Sequence, residues 1–300
     1  MTTTSTLPPA ERDGELSLPD GRTLSYTQLG DPKGPAVVVL DGPGSRGLAR
    51  GAADVASRVG VRLIAPDRPG FGRSTPDPRR TISDWARDMA TLADRLGLER
   101  FGILAHSGGT PYALVSAARL AKRVRAVGLL GALVPLGESD ALDGVSGPMR
   151  TLFVQARRAP WALGPTLRVA ALQARRDPEA AARRMLHDLP DADRAVMDLP
   201  GMFELHQRTT AEIMSAPAEV ARELCLLARP WGFDFFDVRV PVELWVGERD
   251  TTHPPAMSRR LAARLHGSPV HVVSGAATFG LRSVYPAVLR FCAEARRQAR

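Results

Sequence analysis

The sequence has little cysteine, almost no lysine and no long apolar run, and each shortage excludes something. Its two cysteines, Cys225 and Cys292, both lie in apolar or helical surroundings. That rules out a disulfide framework and fits a reducing, cytoplasmic location. No stretch of about 18 apolar residues occurs, so no transmembrane helix is expected. The opening "MTTTSTLPPAERDGE" lacks the apolar middle of a secretory signal and reads as a loose arm. No Cys/His/carboxylate cluster completes a metal set, even though His253 follows Asp250 closely. There is no P-loop, and no G-x-G-x-x-G opens a helix after a strand. Neither a metal nor a cofactor is therefore expected.

Lysine is confined to Lys33 and Lys122, so the formal charge of +8 is carried almost wholly by arginine. The arginines come as scattered pairs, at 79, 157, 175, 183, 259 and 296, mostly among Ala and Leu. They form no single stripe with interleaved aromatics, so they read as solvated helix surface, not a nucleic-acid footprint. The partner expected is a small molecule, with neither nucleic acid nor membrane.

The order of elements is informative. "GELSLPDGRTLSYTQLG" gives two alternating runs around a Pro-Asp-Gly turn, a β-hairpin. Short apolar runs at 36–40, 61–66, 101–105 and 124–132 suit buried strands. Apolar residues at Ile82, Trp85, Met89, Leu92 and Leu96 keep a helical period over 82–98, and a second helix spans 110–121. Strands alternating with helices predict an α/β fold with a mostly parallel sheet covered on both faces. The alternation stops near Pro135 and resumes with strand 242–247, helix 255–265, strand 270–273 and helix 283–297. The expected organisation is a core of residues 1–135 and 239–300 interrupted by a helical cap, 136–238. The aromatic stretch "ARPWGFDFFDVRVP" at its far end reads as seam packing for some residues and as a substrate lid for others.

"FGILAHSGGTPYAL" reads as strand, sharp turn and helix, with Ser107 at the turn. Ala105, Gly108 and Gly109 keep the turn small, and Pro111 fits the first turn of the helix. With the "DRPGFGRS" loop and "LWVGERD" after the cap, the chain resembles the α/β-hydrolase fold family, most closely bacterial members with a helical cap. The resemblance begins near residue 15 and runs through almost all that follows. It implies Ser107 as nucleophile, Asp250 as the acid, and Gly108 as an oxyanion donor. Asp250 also reads as a helix cap.

Two positions depart from that family. Where a histidine should follow the last strand, "VVSGAATFGL" has Thr278 before Phe279, and a threonine is no base near neutral pH. After strand 36–40 the chain reads "LDGPGSRG". One alignment puts Pro43, which has no N–H, at the oxyanion position; the other leaves Gly42 as donor. Either brings Asp41 to the mouth of the site, where an apolar cavity would raise its pKa and keep it protonated. His106 is read as packed under the turn, His271 as remote from the strand ends, and His187 and His266 as solvated. His253 and His206 are the candidates for a relocated base.

Three readings follow. The first is an enzyme without an acyl intermediate, using Asp41 for acid–base catalysis of elimination, cyclisation or isomerisation on a small, largely apolar carbonyl compound. In it Ser107 and Thr278 supply hydrogen bonds. The second is a serine ester or lactone hydrolase with its base at His253 or His206. The third is a non-catalytic ligand-binding protein on the same scaffold.

Overall fold

The structure, a computed structural model, describes residues 11–44, 46–187 and 189–295. An eight-stranded sheet runs through its centre in the order β1-β2-β4-β3-β5-β6-β7-β8. Strands β1 (Arg12–Ser17) and β2 (Thr23–Gly30) form the expected hairpin, and β2 also pairs antiparallel with β4 (Arg62–Pro66). The remaining pairings, through β3 (Ala36–Leu40), β5 (Phe101–Ser107), β6 (Val124–Ala132), β7 (Val242–Gly247) and β8 (Val270–Val273), are parallel. Strand β3 is buried along its whole length, as a parallel strand covered on both faces must be. The loose arm expected at the N-terminus stops short, because Arg12–Ser17 is already in the sheet; residues 1–10 lie outside the described residues.

Helix α1 (Gly47–Val59) has no counterpart in the sequence reading. Its inner face is Leu48, Ala49, Ala52, Ala53 and Ala56, small residues that give a weak apolar signal yet allow close approach to the sheet. The next helices are α2 (Trp85–Arg95) and α3 (Thr110–Arg119), each slightly shorter than expected. Six helices then lie between β6 and β7: α4 (Gly147–Arg158), α5 (Pro160–Arg176), α6 (Pro178–His187), α7 (Asp191–Met197), α8 (Met202–Ser215) and α9 (Pro217–Leu227). No strand interrupts them among the described residues. After the sheet resumes come α10 (Pro255–Arg264), a 3-10 turn over Phe279–Val284, and α11 (Tyr285–Glu294).

One apolar cluster fills the space between the sheet and α2, α3, α10 and the inserted helices; Leu40, Ile103, Leu114 and Leu261 belong to it. A second, with Val39, Leu104, Ala52 and Leu289, lies under α1 and α11. Both cysteines are free, Cys292 buried and Cys225 half-buried.

One expectation needs correction. The arginine pairs are not uniformly solvated: Arg80 is buried and bridges Glu219 and Glu223 on α9, where it neutralises carboxylates that are themselves largely buried. In the aromatic stretch, Trp231, Phe233 and Phe235 pack on one another and on the core, and Phe236 is exposed under Arg239. None of the four lines the cavity beside the elbow; Trp231, Phe233 and Phe235 line a second, more open cavity with Pro135 and Arg264, and their packing fits the seam reading.

Candidate active site

The parallel strands place three loops at one edge of the sheet: after β3 (Asp41, Gly42), at the end of β5 (Ser107, Gly108), and after β7 (Asp250, His253). Ligands meet such sheets at the carboxyl ends of the strands. Ser107 itself has φ +51°, a left-handed conformation that a non-glycine residue adopts at a cost, and the strand-to-helix turn imposes it. Gly109 is required: a Cβ there would meet the Leu40 carbonyl oxygen at 2.0 Å. Gly108 is under less constraint, since a Cβ would make only ordinary contacts, the nearest with Gly42 and Leu227 at 3.5 Å.

The imidazole missing from the expected position comes from the loop after β7. Asp250 Oδ1 accepts the Thr252 and His253 main-chain N–H groups at 2.9 and 2.8 Å, folding the loop back on itself. This brings His253 Nδ1 to 3.2 Å from Asp250 Oδ2 and His253 Nε2 to 2.8 Å from Ser107 Oγ. His253 is 2% and Asp250 4% exposed. Gly131, at the end of β6 with φ +49°, makes room for the ring: a Cβ there would lie 3.0 Å from His253 Nδ1. Of the two histidines considered for a relocated base, His253 is the one that reaches Ser107, which the first of the three readings did without. An aspartate and a histidine three residues apart can share one folded loop, which the family pattern did not suggest.

Thr278 stands beside this group in another role. Its hydroxyl donates to Asp250 Oδ2 at 2.7 Å. Burial alone would raise the Asp250 pKa, but the His253 ring and N–H together with the Thr278 hydroxyl outweigh it and hold the carboxyl below its usual range. The Thr278 and Phe279 N–H groups donate to Asp193 of α7 at 3.2 and 2.7 Å, fastening the inserted helices to this segment. Asp193, 1% exposed, has its pKa pushed up to about 6 by burial and, more weakly, by the Asp250 charge. His206 is no substitute base: its Nε2 faces the Ala182 carbonyl at 3.3 Å, its ring packs on Phe279, and burial lowers its pKa.

Asp41 differs from expectation most sharply. Its Oδ1 accepts the Gly42 N–H at 2.7 Å and lies 2.8 Å from His106 Nδ1; its Oδ2 accepts the Leu48 N–H of the first turn of α1 at 3.1 Å. Burial would raise its pKa, yet these partners, His106 foremost, lower it. The same pairing raises His106 against the opposing effect of burial. Asp41 is thus a carboxylate paired with His106, not a neutral acid held in an apolar cavity. His106 is not packed under the turn either; its ring sits 5.4 Å from that of His253 and faces a cavity.

The Gly42 N–H, engaged by Asp41, is turned from the oxyanion role proposed for it, and Pro43 has none. Arg68, buried at 2% exposure, holds this loop by donating to the Asp41 carbonyl at 3.1 Å and to the Gly42 carbonyl. It is paired in turn with Glu223 at 3.1 Å and lies over the Tyr112 ring. The sequence reading did not single out Arg68 or Glu223; buried charges so far apart in the chain leave no local pattern.

The cavity has a volume of about 110 Å³. Asp41, His106, Thr278 and Phe279 form its floor, and Met197, Met202, Leu205 and His206 of the inserted helices form its roof. Among the described residues no group of three or more His, Cys, Asp or Glu is arranged to hold a metal, and no helix is long and apolar enough to cross a membrane.

A mostly parallel sheet flanked by helices, with a strained serine at a strand-to-helix turn and a carboxylate and imidazole together on a neighbouring loop, defines an α/β protein of the kind whose site lies at the carboxyl edge of the sheet. A family model described as alpha/beta hydrolase fold matches residues 35–280, and the chain belongs to that family. Over 127 residues it is 35% identical to a Pseudomonas putida protein named 2-hydroxy-6-oxononadienedioate/2-hydroxy-6-oxononatrienedioate hydrolase 2, covering 40% of this chain and 42% of that protein. Over 110 residues it is 32% identical to a proline iminopeptidase of Xanthomonas citri, covering 36% and 35%. The chain thus spans well under half the length of these curated relatives. Among solved structures, an alpha/beta hydrolase fold protein from Nakamurella multipartita superposes with a TM-score of 0.67 at 26% identity, over 95% of this chain and 99% of that one.

Proposed function

We propose that this protein is a serine hydrolase of small ester or lactone carbonyls, with Ser107 as nucleophile, His253 as general base and Asp250 as the group that orients it. The observation that carries this reading is the contact of 2.8 Å between His253 Nε2 and Ser107 Oγ, with Asp250 on the other ring nitrogen. The hydroxyl attacks the carbonyl carbon as its proton passes to His253 Nε2. The Asp250 charge stabilises the imidazolium, which then returns the proton to the leaving oxygen. Water repeats the cycle on the acyl-serine and releases the acid. The Gly108 N–H, directly after the nucleophile, receives the developing oxyanion.

The second donor that such sites use is engaged by Asp41. One missing donor costs roughly 100- to 1,000-fold in rate. The site therefore suits carbonyls with a good leaving group, such as lactones and aryl or enol esters, more than amides. The inserted helices form the cap over the cavity, and residues 136–238 act as the substrate-facing domain. The relatives named as hydrolases support the class of reaction. The alternative of Asp41-driven, non-hydrolytic chemistry is disfavoured because Asp41 is ionised and its oxygens are occupied.

The test is labelling by a fluorophosphonate at pH 7.5, read by intact mass. The wild type should take up one equivalent on Ser107, and Ser107→Ala none. His253→Ala should react at least 100-fold more slowly. Equal labelling of wild type and His253→Ala would refute the assigned base, and absence of any label in the wild type would refute the hydrolase reading.

A further inference from the structure

Leu48, Met197, Met202, Leu205 and Leu281 give the cavity an apolar lining, but it also carries polar atoms without partners. Arg282 lines the cavity and makes no ion pair or hydrogen bond among the described residues. His106 Nε2 and Thr209 Oγ1 also face no partner although both atoms are buried, and both residues line the same cavity. Buried polar groups are nearly always satisfied, so two unpaired buried atoms in one small cavity, beside the half-exposed Arg282 guanidinium, mark the place of a ligand's polar group. Resting on the hydrolase reading above, we infer that the substrate is an acid ester or lactone whose carboxylate is held by Arg282, His106 and Thr209.

The charges around the cavity favour an anion. The charged or titratable groups that line it are Asp41, His106, His206, Arg282 and Tyr285, the last with its phenol pKa raised by burial. Asp41 is matched by His106 and by two main-chain N–H groups, which leaves the guanidinium as the uncompensated charge. Two further carboxylates, Asp193 and Asp250, lie behind the wall, with their oxygens committed to Thr278, Phe279 and His253. All three groups suit a carboxylate: the guanidinium is charged, the threonine hydroxyl donates, and His106 donates from Nε2 in the protonated form that its pairing with Asp41 favours. A substrate with a free amine would meet Arg282 instead and be repelled. The volume of about 110 Å³ is well below that of a drug-sized pocket, so the acid end is short, a carboxylate and a few carbons. Ser107 and His253 do not line this cavity, but His106, which does, has its ring 5.4 Å from that of His253, so the acid group would sit next to the reacting carbonyl.

The experiment compares two p-nitrophenyl esters of equal reach, mono-p-nitrophenyl glutarate and its neutral methyl ester. The wild type should prefer the acid in kcat/KM by about 10- to 100-fold, the range of a charge-assisted pairing. Arg282→Met should reduce that ratio at least tenfold, Thr209→Val should reduce it by less, and Arg282→Lys should retain part of it. A ratio near one in the wild type, or an unchanged ratio in Arg282→Met, would overturn the inference. Calorimetry with glutarate on the Ser107→Ala protein separates this inference from the hydrolase reading, since it needs no turnover. Saturable binding weakened tenfold by adding Arg282→Met supports the acid site even if neither ester is cleaved. No binding of glutarate overturns the site even if both are.

Discussion

Replacing Glu223 by alanine tests whether the inserted helices and the elbow are coupled through buried charge. Glu223 is 1% exposed. It accepts from Arg68 at 3.2 Å, from Arg80 at 3.0 Å and from the Tyr112 hydroxyl at 3.0 Å. Removing it deprives two guanidinium groups and a phenol of the acceptor they share. Breaking a buried pair by deleting one partner costs about 3–5 kcal/mol. The stranded phenol belongs to the same network, so its own cost overlaps with that figure. Each kcal/mol lowers the melting temperature of a domain this large by about 2–3 °C, so a fall of about 6–15 °C is expected. Glu223→Gln keeps an acceptor but no charge and should fall between the two. Because Arg68 also holds the Asp41 and Gly42 carbonyls, hydrolysis by the folded fraction of Glu223→Ala should drop several-fold. Scanning fluorimetry with an ester assay reads both. A melting temperature within 2 °C of wild type would refute the reasoning, since it would mean the network is already solvated.

Two further predictions concern the loop segments around Asp250. Thr278→Val removes the hydroxyl that donates to Asp250 at 2.7 Å; kcat should fall roughly 3- to 10-fold with KM little changed, as expected of a positioning residue, and Thr278→Ser should restore most of it. Asp193 is buried with a pKa raised to about 6, so its contribution to stability is fully present below the unfolded value near 3.8 and is lost as pH rises through about 6. Asp193→Asn should gain in melting temperature relative to wild type between pH 5 and 7, and a difference that stays constant over that range would contradict this account.

The sequence disclosed the sheet because parallel strands are bare apolar runs, and β3 through β8 appear in order on that signal. Helix α1 escaped because its inner face is alanine, which carries little hydrophobic weight though it packs closely. Ser107 and Asp250 were legible from their segments, and His253 from its position at the correct edge of the sheet. Its contact with Ser107 spans 146 residues of chain, so it could be suspected but not ranked first. Asp41 was misread for a related reason. Its character depends on His106 and on the Leu48 N–H of a helix the sequence did not announce, and both are properties of the folded loop. Arg282, on a 3-10 turn past the last strand, carried no signal, since a lone arginine among so many looks like surface.

The carboxylate and the imidazole of this site ride on one short peptide segment, tied to itself by its own main chain. In an arrangement that draws them from separate loops, any shift between those loops detunes the base. Here the ring and its carboxylate keep their mutual register through one turn of main chain, and the inserted helices touch that turn through Asp193 and Thr278. A change in the roof would therefore reach the carboxylate through the link from Asp193 to Thr278, and the ring by way of that carboxylate.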